Sequence, residues 1–270
     1  MIELFEQQLK TFDRHSSKGN QLKWEDEDIW YKADYMGYEG LAEYVVSNLL
    51  KYSSLREDEY VIYELEKIKY HNQIFLGAKS KNLLNDDWQI ITLERLFKNQ
   101  YNQSLYTTLW KMQGVKERLR FLCEQAEQIT GIKSFGQYMA KLLTIDAMFK
   151  NEDRHTHNIA VLMNTKGEYH LCPIFDNGAS LLSDTRMDYP LNEDIYELMM
   201  NVQAKTISYD FDEQLDAAEE LYGQQIEFYF TKNDVNEIIR KTDIYGEEEK
   251  ERILTIVLQQ MRKYKYLFRV

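Results

Sequence analysis

A chain of 270 residues with 44% hydrophobic content, 20 Tyr, 12 Phe and only two Pro has material for one large domain or for two lobes around a cleft, with no linker or low-complexity tail. Its formal net charge of −12, from 33 basic and 45 acidic residues, disfavours nucleic acid or an anionic membrane as the main partner, though not a local basic site. Cys123 and Cys172 read as buried thiols of a reducing compartment, and no stretch, the Glu3- and Glu6-bearing N-terminus included, reads as a signal peptide or membrane span, so a cytoplasmic protein is expected.

Residues 1–12 are weakly amphipathic and fit a strand or a short helix. Ser16, Ser17, Lys18 and Gly19 lie in a small polar segment. It is either a surface turn or a loop whose N–H groups and hydroxyls cover nucleotide phosphates. It has one Gly, and no Walker A motif occurs in the chain, which argues against a P-loop fold. Asp28 to Ala33 reads as a strand carrying Lys32. Tyr38 to Tyr52 then sets Leu41, Ala42, Val45, Val46, Leu49 and Leu50 on one helical stripe. Glu39 and Glu43 are one turn apart on that helix, so either could face Lys32. A lone strand lysine is usually a solvated face, but a strand Lys paired with a helix Glu is how kinases hold the α- and β-phosphates.

Glu59 to Tyr70, Asn72 to Ala78 and Trp88 to Leu93 read as three strands of an antiparallel meander, with turns at Tyr70-His71-Asn72-Gln73 and Asn85-Asp86-Asp87. Leu93-Glu94-Arg95-Leu96-Phe97 would end the sheet as a hinge, its backbone around Glu94 and Leu96 meeting an adenine edge. Helical patterns follow at Ser104 to Met112, Gly114 to Thr130 and Phe135 to Phe149, the last nearly apolar all round. Past a polar loop at 183–192, further helices are expected at Glu193 to Ile207, Asp212 to Tyr222, Asn233 to Lys241 and Glu247 to Phe268. The expected fold is α+β and bilobal: residues 1–97 as a small antiparallel-sheet lobe with one helix, and 98–270 as a larger, mainly helical lobe.

The chemistry concentrates in Asn151-Glu152-Asp153-Arg154-His155-Thr156-His157-Asn158 and, later, Phe175-Asp176-Asn177-Gly178. Two apolar runs joined by the turn Asn164-Thr165-Lys166-Gly167 predict a hairpin that returns Asp176 to Asn158. One carboxylate, Asp153, is then free to orient a hydroxyl, while Asn158 and Asp176 can hold magnesium on nucleotide phosphates. Arg154 and His155 remain open between bracing the loop and, for His155, a catalytic contact. A zinc site is not expected around His157 or His170, which lack Cys or carboxylate at ligand spacing.

Asn151-x-Asp153-Arg154-His155-x-x-Asn158 followed by Pro173-Ile174-Phe175-Asp176, with Trp30-Tyr31-Lys32 upstream, resembles the HipA-like serine/threonine kinases and, more distantly, the phosphatidylinositol 3- and 4-kinases. The resemblance implies an ATP- and Mg2+-dependent kinase acting on a protein hydroxyl, with Lys32 on phosphate, and autophosphorylation at Ser16 or Ser17. It also implies an antitoxin or regulatory protein as a partner. The chain starts almost at the small lobe, so no transcription-repressor role is expected. Asp176-Asn177-Gly178 departs from Asp-Phe-Gly, and no Phe-flip regulation transfers. The alternatives are a lipid or small-molecule kinase sharing every catalytic residue, and a nucleotide-binding pseudokinase module in a toxin–antitoxin or signalling complex.

Overall fold

A computed structural model of the chain describes residues 1–10, 21–84 and 87–269. In chain order the strands and helices are β1 (Ile2–Leu4), β2 (Lys23–Asp26), β3 (Ile29–Ala33), α1 (Glu39–Leu50), β4 (Glu64–Tyr70), β5 (Gln73–Lys81), β6 (Trp88–Thr92), α2 (Leu93–Tyr101), α3 (Leu105–Trp110), α4 (Val115–Thr130), α5 (Phe135–Phe149), β7 (Ala160–Asn164), β8 (Tyr169–Leu171), α6 (Ile195–Asn201), α7 (Phe211–Tyr222), α8 (Lys232–Arg240) and α9 (Glu247–Lys263). The fold is α+β. Among the described residues no helix is long and apolar enough to cross a membrane.

Packing divides the chain into two compact units. One gathers Met1–Leu83, Phe175–Val202 and Phe228–Val270; the other gathers Leu84–Ile174 and Gln203–Glu227. The strand expected to complete the first meander, β6, does not continue the first sheet but pairs antiparallel with β7, in a three-stranded sheet ordered β6-β7-β8. Alternation marks a strand but does not name its partner.

In the first unit a five-stranded sheet runs β1-β4-β5-β3-β2. The β4–β5 hairpin turns through His71 at φ 52°, with Tyr70 opposite Gln73, as the turn residues predict. Leu4, Trp24, Tyr31, Ala33 and Ile68 form the core on one side of this sheet. The helix α1 buries Leu41, Ala42, Val45, Val46, Leu49 and Leu50, the stripe read from the sequence. It seats on the sheet through glycine: a Cβ built on Gly40 would lie 2.6 Å from the carbonyl carbon of Gly77, and one on Gly77 would lie 2.1 Å from the Lys32 carbonyl oxygen. Only residues without side chains allow that approach.

In the second unit α5 is buried on nearly every face, and α7 and α4 pack on it. It ends with Lys150 in the left-handed region at φ 55°, which turns the chain into the 151–158 loop. The hairpin of β7 and β8 forms as expected, with Val161 opposite Leu171. Both cysteines are free and buried, and burial pushes the thiols of Cys123 and Cys172 up to about 12.

Several expectations are corrected. The strand β2 has no counterpart in the sequence reading. Of the expected segment 1–12, the described residues 1–10 hold both a short strand and a 3₁₀ turn at Glu6–Gln8. The helix expected over Glu193 to Ile207 is only α6, capped by Asp194, and 204–210 is a compact loop. The helix expected to reach Phe268 stops at Lys263 and passes into a 3₁₀ turn.

Candidate active site

In the first unit, Lys32 on β3 is the centre of an ion cluster. Its Nζ lies 2.7 Å from Glu43 Oε1 on α1 and 2.8 Å from Asp176 Oδ1. It sits over the Tyr63 ring, 5.1 Å from the centroid. Burial alone would drive the ammonium toward neutrality, but Asp176 and Glu43 reverse this and hold its pKa well above the usual lysine range. Lys32 is therefore a fixed positive charge. Of the two glutamates left open by spacing, Glu43 makes the pair. Its second oxygen accepts from the Asn177 N–H at 2.9 Å, so one buried carboxylate fixes both the lysine and the turn after Asp176. Glu39 instead accepts from the N–H groups of Tyr35, Met36 and Gly37, the residues leading into α1.

Asp176 itself holds φ at 61°. A non-glycine residue there is strained, and such strain survives only where neighbours over-determine the conformation. Here the neighbours are the Lys32 ion pair and the Glu43–Asn177 hydrogen bond. A Cβ built on the following Gly178 would lie in ordinary van der Waals contact with Glu39 and Glu43. Farther along, Ser183 Oγ donates to the Gly178 carbonyl at 2.6 Å, tying the segment down.

In the second unit the 151–158 loop is braced from within. The buried guanidinium of Arg154 lies 3.2 Å from the Asp146 carboxylate on α5 and donates to the Asn158 carbonyl at 3.4 Å. Arg154 thus has the bracing role. Asn151 Oδ1 accepts from the Asp153 N–H, and the Asn158 Nδ2 donates to both the backbone oxygen and Oδ2 of Asp153, at 2.7 and 3.1 Å. That leaves Asn158 Oδ1, the amide's cation-binding atom, without a hydrogen bond among the described residues. His155 Nδ1 accepts from the His157 N–H, which places the ring proton on Nε2, 3.5 Å from Asp153 Oδ1. That contact orients the Asp153 carboxylate.

The expected adenine hinge is not an extended linker. Leu93 opens α2, and the N–H groups of Leu93, Glu94 and Arg95 already donate to Ile159, Thr156 and Thr92. Glu94 is buried and accepts from Leu105 N, Tyr106 N and Thr156 Oγ1. Burial alone would raise its pKa; hydrogen bonds from Ser104, Tyr106 and Thr156 more than offset it and hold the carboxyl below its usual range. Leu96 is buried against Phe97, Leu105 and Leu122 around a small apolar cavity. Ser16, Ser17, Lys18 and Gly19 lie outside the described residues. Sequence reasoning missed Tyr63 and Asn177, whose parts here follow from tertiary placement and carry no local signal.

Each unit offers an oxygen donor of the chemical type a hard divalent cation takes: the Asp176 carboxylate in the first, and the unengaged Asn158 Oδ1 in the second. No cluster of three or more His, Cys, Asp or Glu suited to a metal occurs among the described residues.

No family model matches the chain, and no curated protein matches it. Among solved structures it is similar to the Helicobacter pylori proinflammatory kinase CtkA, with a TM-score of 0.61, 17% identity, and coverage of 97% of this chain and 94% of that one. It is also similar to HipA of Shewanella oneidensis MR-1, solved with HipB and operator DNA, with a TM-score of 0.48 and 13% identity; the match covers 88% of this chain and 58% of HipA. The first likeness shows the fold: the chain has the fold of a kinase.

Proposed function

We propose that this protein is an ATP-dependent phosphotransferase that moves the γ-phosphoryl group of Mg-ATP to a serine or threonine hydroxyl of another protein. The observation that carries the reading is Lys32, held charged between Glu43 and Asp176. A buried lysine kept cationic by two carboxylates is suited to bind anionic phosphate oxygens.

The roles divide by residue. Lys32 binds phosphate, and Glu43 fixes its direction. Asp176 and Asn158 would hold the divalent cation through carboxylate and amide oxygens. When bound, that cation neutralises charge on the phosphates. Asp153, oriented by Asn158 and His155, accepts the hydrogen bond of the acceptor hydroxyl and takes its proton as the new O–P bond forms and the bond to the ADP oxygen breaks. The net charge of −12 weighs against an anionic membrane lipid as acceptor.

The test is incubation of the purified protein with γ-labelled ATP and magnesium, with and without cell extract, beside Asp153→Asn. Labelled protein with the wild type and none with the variant is expected. Folded protein that neither binds Mg-ATP at millimolar concentration nor transfers label would overturn the reading.

A further inference from the structure

Beside the 151–158 loop, in the same unit, the surface carries an ordered ladder of π systems. The Arg118 guanidinium lies over one face of Trp110, 4.5 Å from the ring centroid. Tyr209 stacks on Trp110 at 4.6 Å and 29°. The Tyr106 phenol lies close enough to Tyr209 for the two to interact electrostatically, and its ring lies 5.9 Å from Trp110. Trp110 is thus sandwiched, while Tyr209 at 52% and Tyr106 at 38% exposure end the ladder at solvent.

The ladder is rigid, and both ends are tied to the loop that carries Asp153. At one end Glu94 Oε2 accepts from Thr156 Oγ1 in that loop and from Tyr106 N. At the other end Thr206 Oγ1 donates to the Arg154 carbonyl at 2.5 Å, and Arg118 Nη1 donates to the Ile207 carbonyl at 2.8 Å. The Tyr209 carbonyl accepts from Ala204 N, closing the 204–209 loop. An ordered pair of exposed tyrosines presents a large contact area with little entropy left to lose.

Charge selects the occupant. Tyr209 is followed at once by Asp210 and then by Asp212 and Glu213, with Asp210 and Glu213 exposed. Two of the nearby cations are already engaged: Arg118 with two carbonyls and Trp110, and Lys205 with Glu152 at 3.8 Å. An aromatic face rimmed by carboxylates attracts a cationic side chain and repels a phosphodiester backbone.

We propose that the Tyr106–Tyr209 face is an acceptor-docking surface, which takes an arginine- or lysine-bearing segment of the protein whose hydroxyl is phosphorylated. The acceptor role rests on the phosphotransferase reading; the binding does not. A basic side chain stacks on the outer face of Tyr209 and is balanced by Asp210 and Glu213, and the acceptor chain is thereby anchored beside the loop of Asp153.

The probe is a short blocked peptide with a central serine flanked by arginines in glycine, titrated without nucleotide by calorimetry. Two control peptides replace arginine by citrulline, which keeps the plane and loses the charge, or by glutamate. The arginine peptide should bind, the citrulline peptide more weakly, and the glutamate peptide not at all. Tyr209→Ala should weaken binding about fivefold, the upper end for an exposed cation–π contact, and Tyr209→Phe, which keeps the ring, should bind nearly as wild type. If Tyr209→Ala does not fold, the Trp110 indole N–H signal of wild-type protein must still shift on adding the arginine peptide. Equal binding by the citrulline peptide, equal binding by folded Tyr209→Ala, no shift at Trp110, or preference for single-stranded RNA would each overturn the proposal. Phosphate transfer by wild type that binds no basic peptide sinks the docking surface alone. Binding of the peptide by a protein that transfers no phosphate to any acceptor sinks the phosphotransferase reading and the acceptor role with it.

Discussion

Gly40 at the start of α1 rests on the backbone of Gly77 in β5, closer than any side chain would permit. This contact sets the height of α1 above the sheet, and so the reach of Glu43 to Lys32. Gly40→Ala should lift the helix at a cost of about 1–3 kcal/mol, the range for overpacking a tight contact. Urea denaturation would show the lost stability, and calorimetry with Mg-ATP should show weakened nucleotide binding. Unchanged stability and affinity would mean that the helix start absorbs a methyl group without moving.

Glu43 is buried and depends on Lys32 for its counter-ion. Lys32→Ala should therefore destabilise the fold as well as the site, by about 3–5 kcal/mol, as when one partner of a buried pair is removed. The double change of Lys32→Ala with Glu43→Gln should recover part of that stability and none of the activity. Chemical denaturation of the single and double variants checks this, and additive losses would contradict the coupling.

Asp153→Ala should abolish phosphoryl transfer while Mg-ATP binding is largely kept, because the proposed partner of that carboxylate is the acceptor hydroxyl. Asp176→Ala should lose magnesium-dependent nucleotide binding too, since its carboxylate is proposed as a cation ligand. Comparing ATP affinity with and without magnesium separates the two. An equal fall in affinity for both variants would refute the division of roles.

Asp34, between β3 and α1, accepts from Gly40 N at 2.6 Å and from the Tyr245 hydroxyl at 2.7 Å. Burial, with the nearby charge of Glu39, raises its pKa from 3.8 to about 7. The folded state thus keeps a proton, between those values, that the unfolded chain has released. Stability from this group is present below the lower value, falls as pH rises through the window, and levels off above about 7. Urea midpoints from pH 4 to 8 should fall more steeply for wild type than for Asp34→Asn. Parallel profiles would show that Asp34 does not titrate there.

The sequence made the Lys32 strand, the α1 stripe, the buried α5 and the 160–171 hairpin legible, because each follows from a local period and a turn. It did not make β2 legible: Lys23, Glu25 and Asp26 hide an alternation whose one core residue is Trp24, and the hairpin turns through Glu27 at φ 51° with no Asn or Gly to mark it. The hinge expected at 93–97 became the first turn of α2 because Thr92 caps it through Arg95 N, a signal that the apolar run obscured. The choice between Glu39 and Glu43 needed the rotation of α1 about its axis, which the Gly40 contact sets. The stacking of Trp110 on Tyr209 joins segments far apart in the chain, and no window of sequence contains both.

Burial of Cys123 and Cys172 has a practical outcome. With both thiols pushed to about 12, almost no thiolate exists at neutral pH, and thiolate is the species that reacts with maleimides. The native fold therefore serves as its own cysteine-free background. A single cysteine placed at the exposed Met200 or Met187 would take a fluorophore or spin label alone, with both natural cysteines left in place.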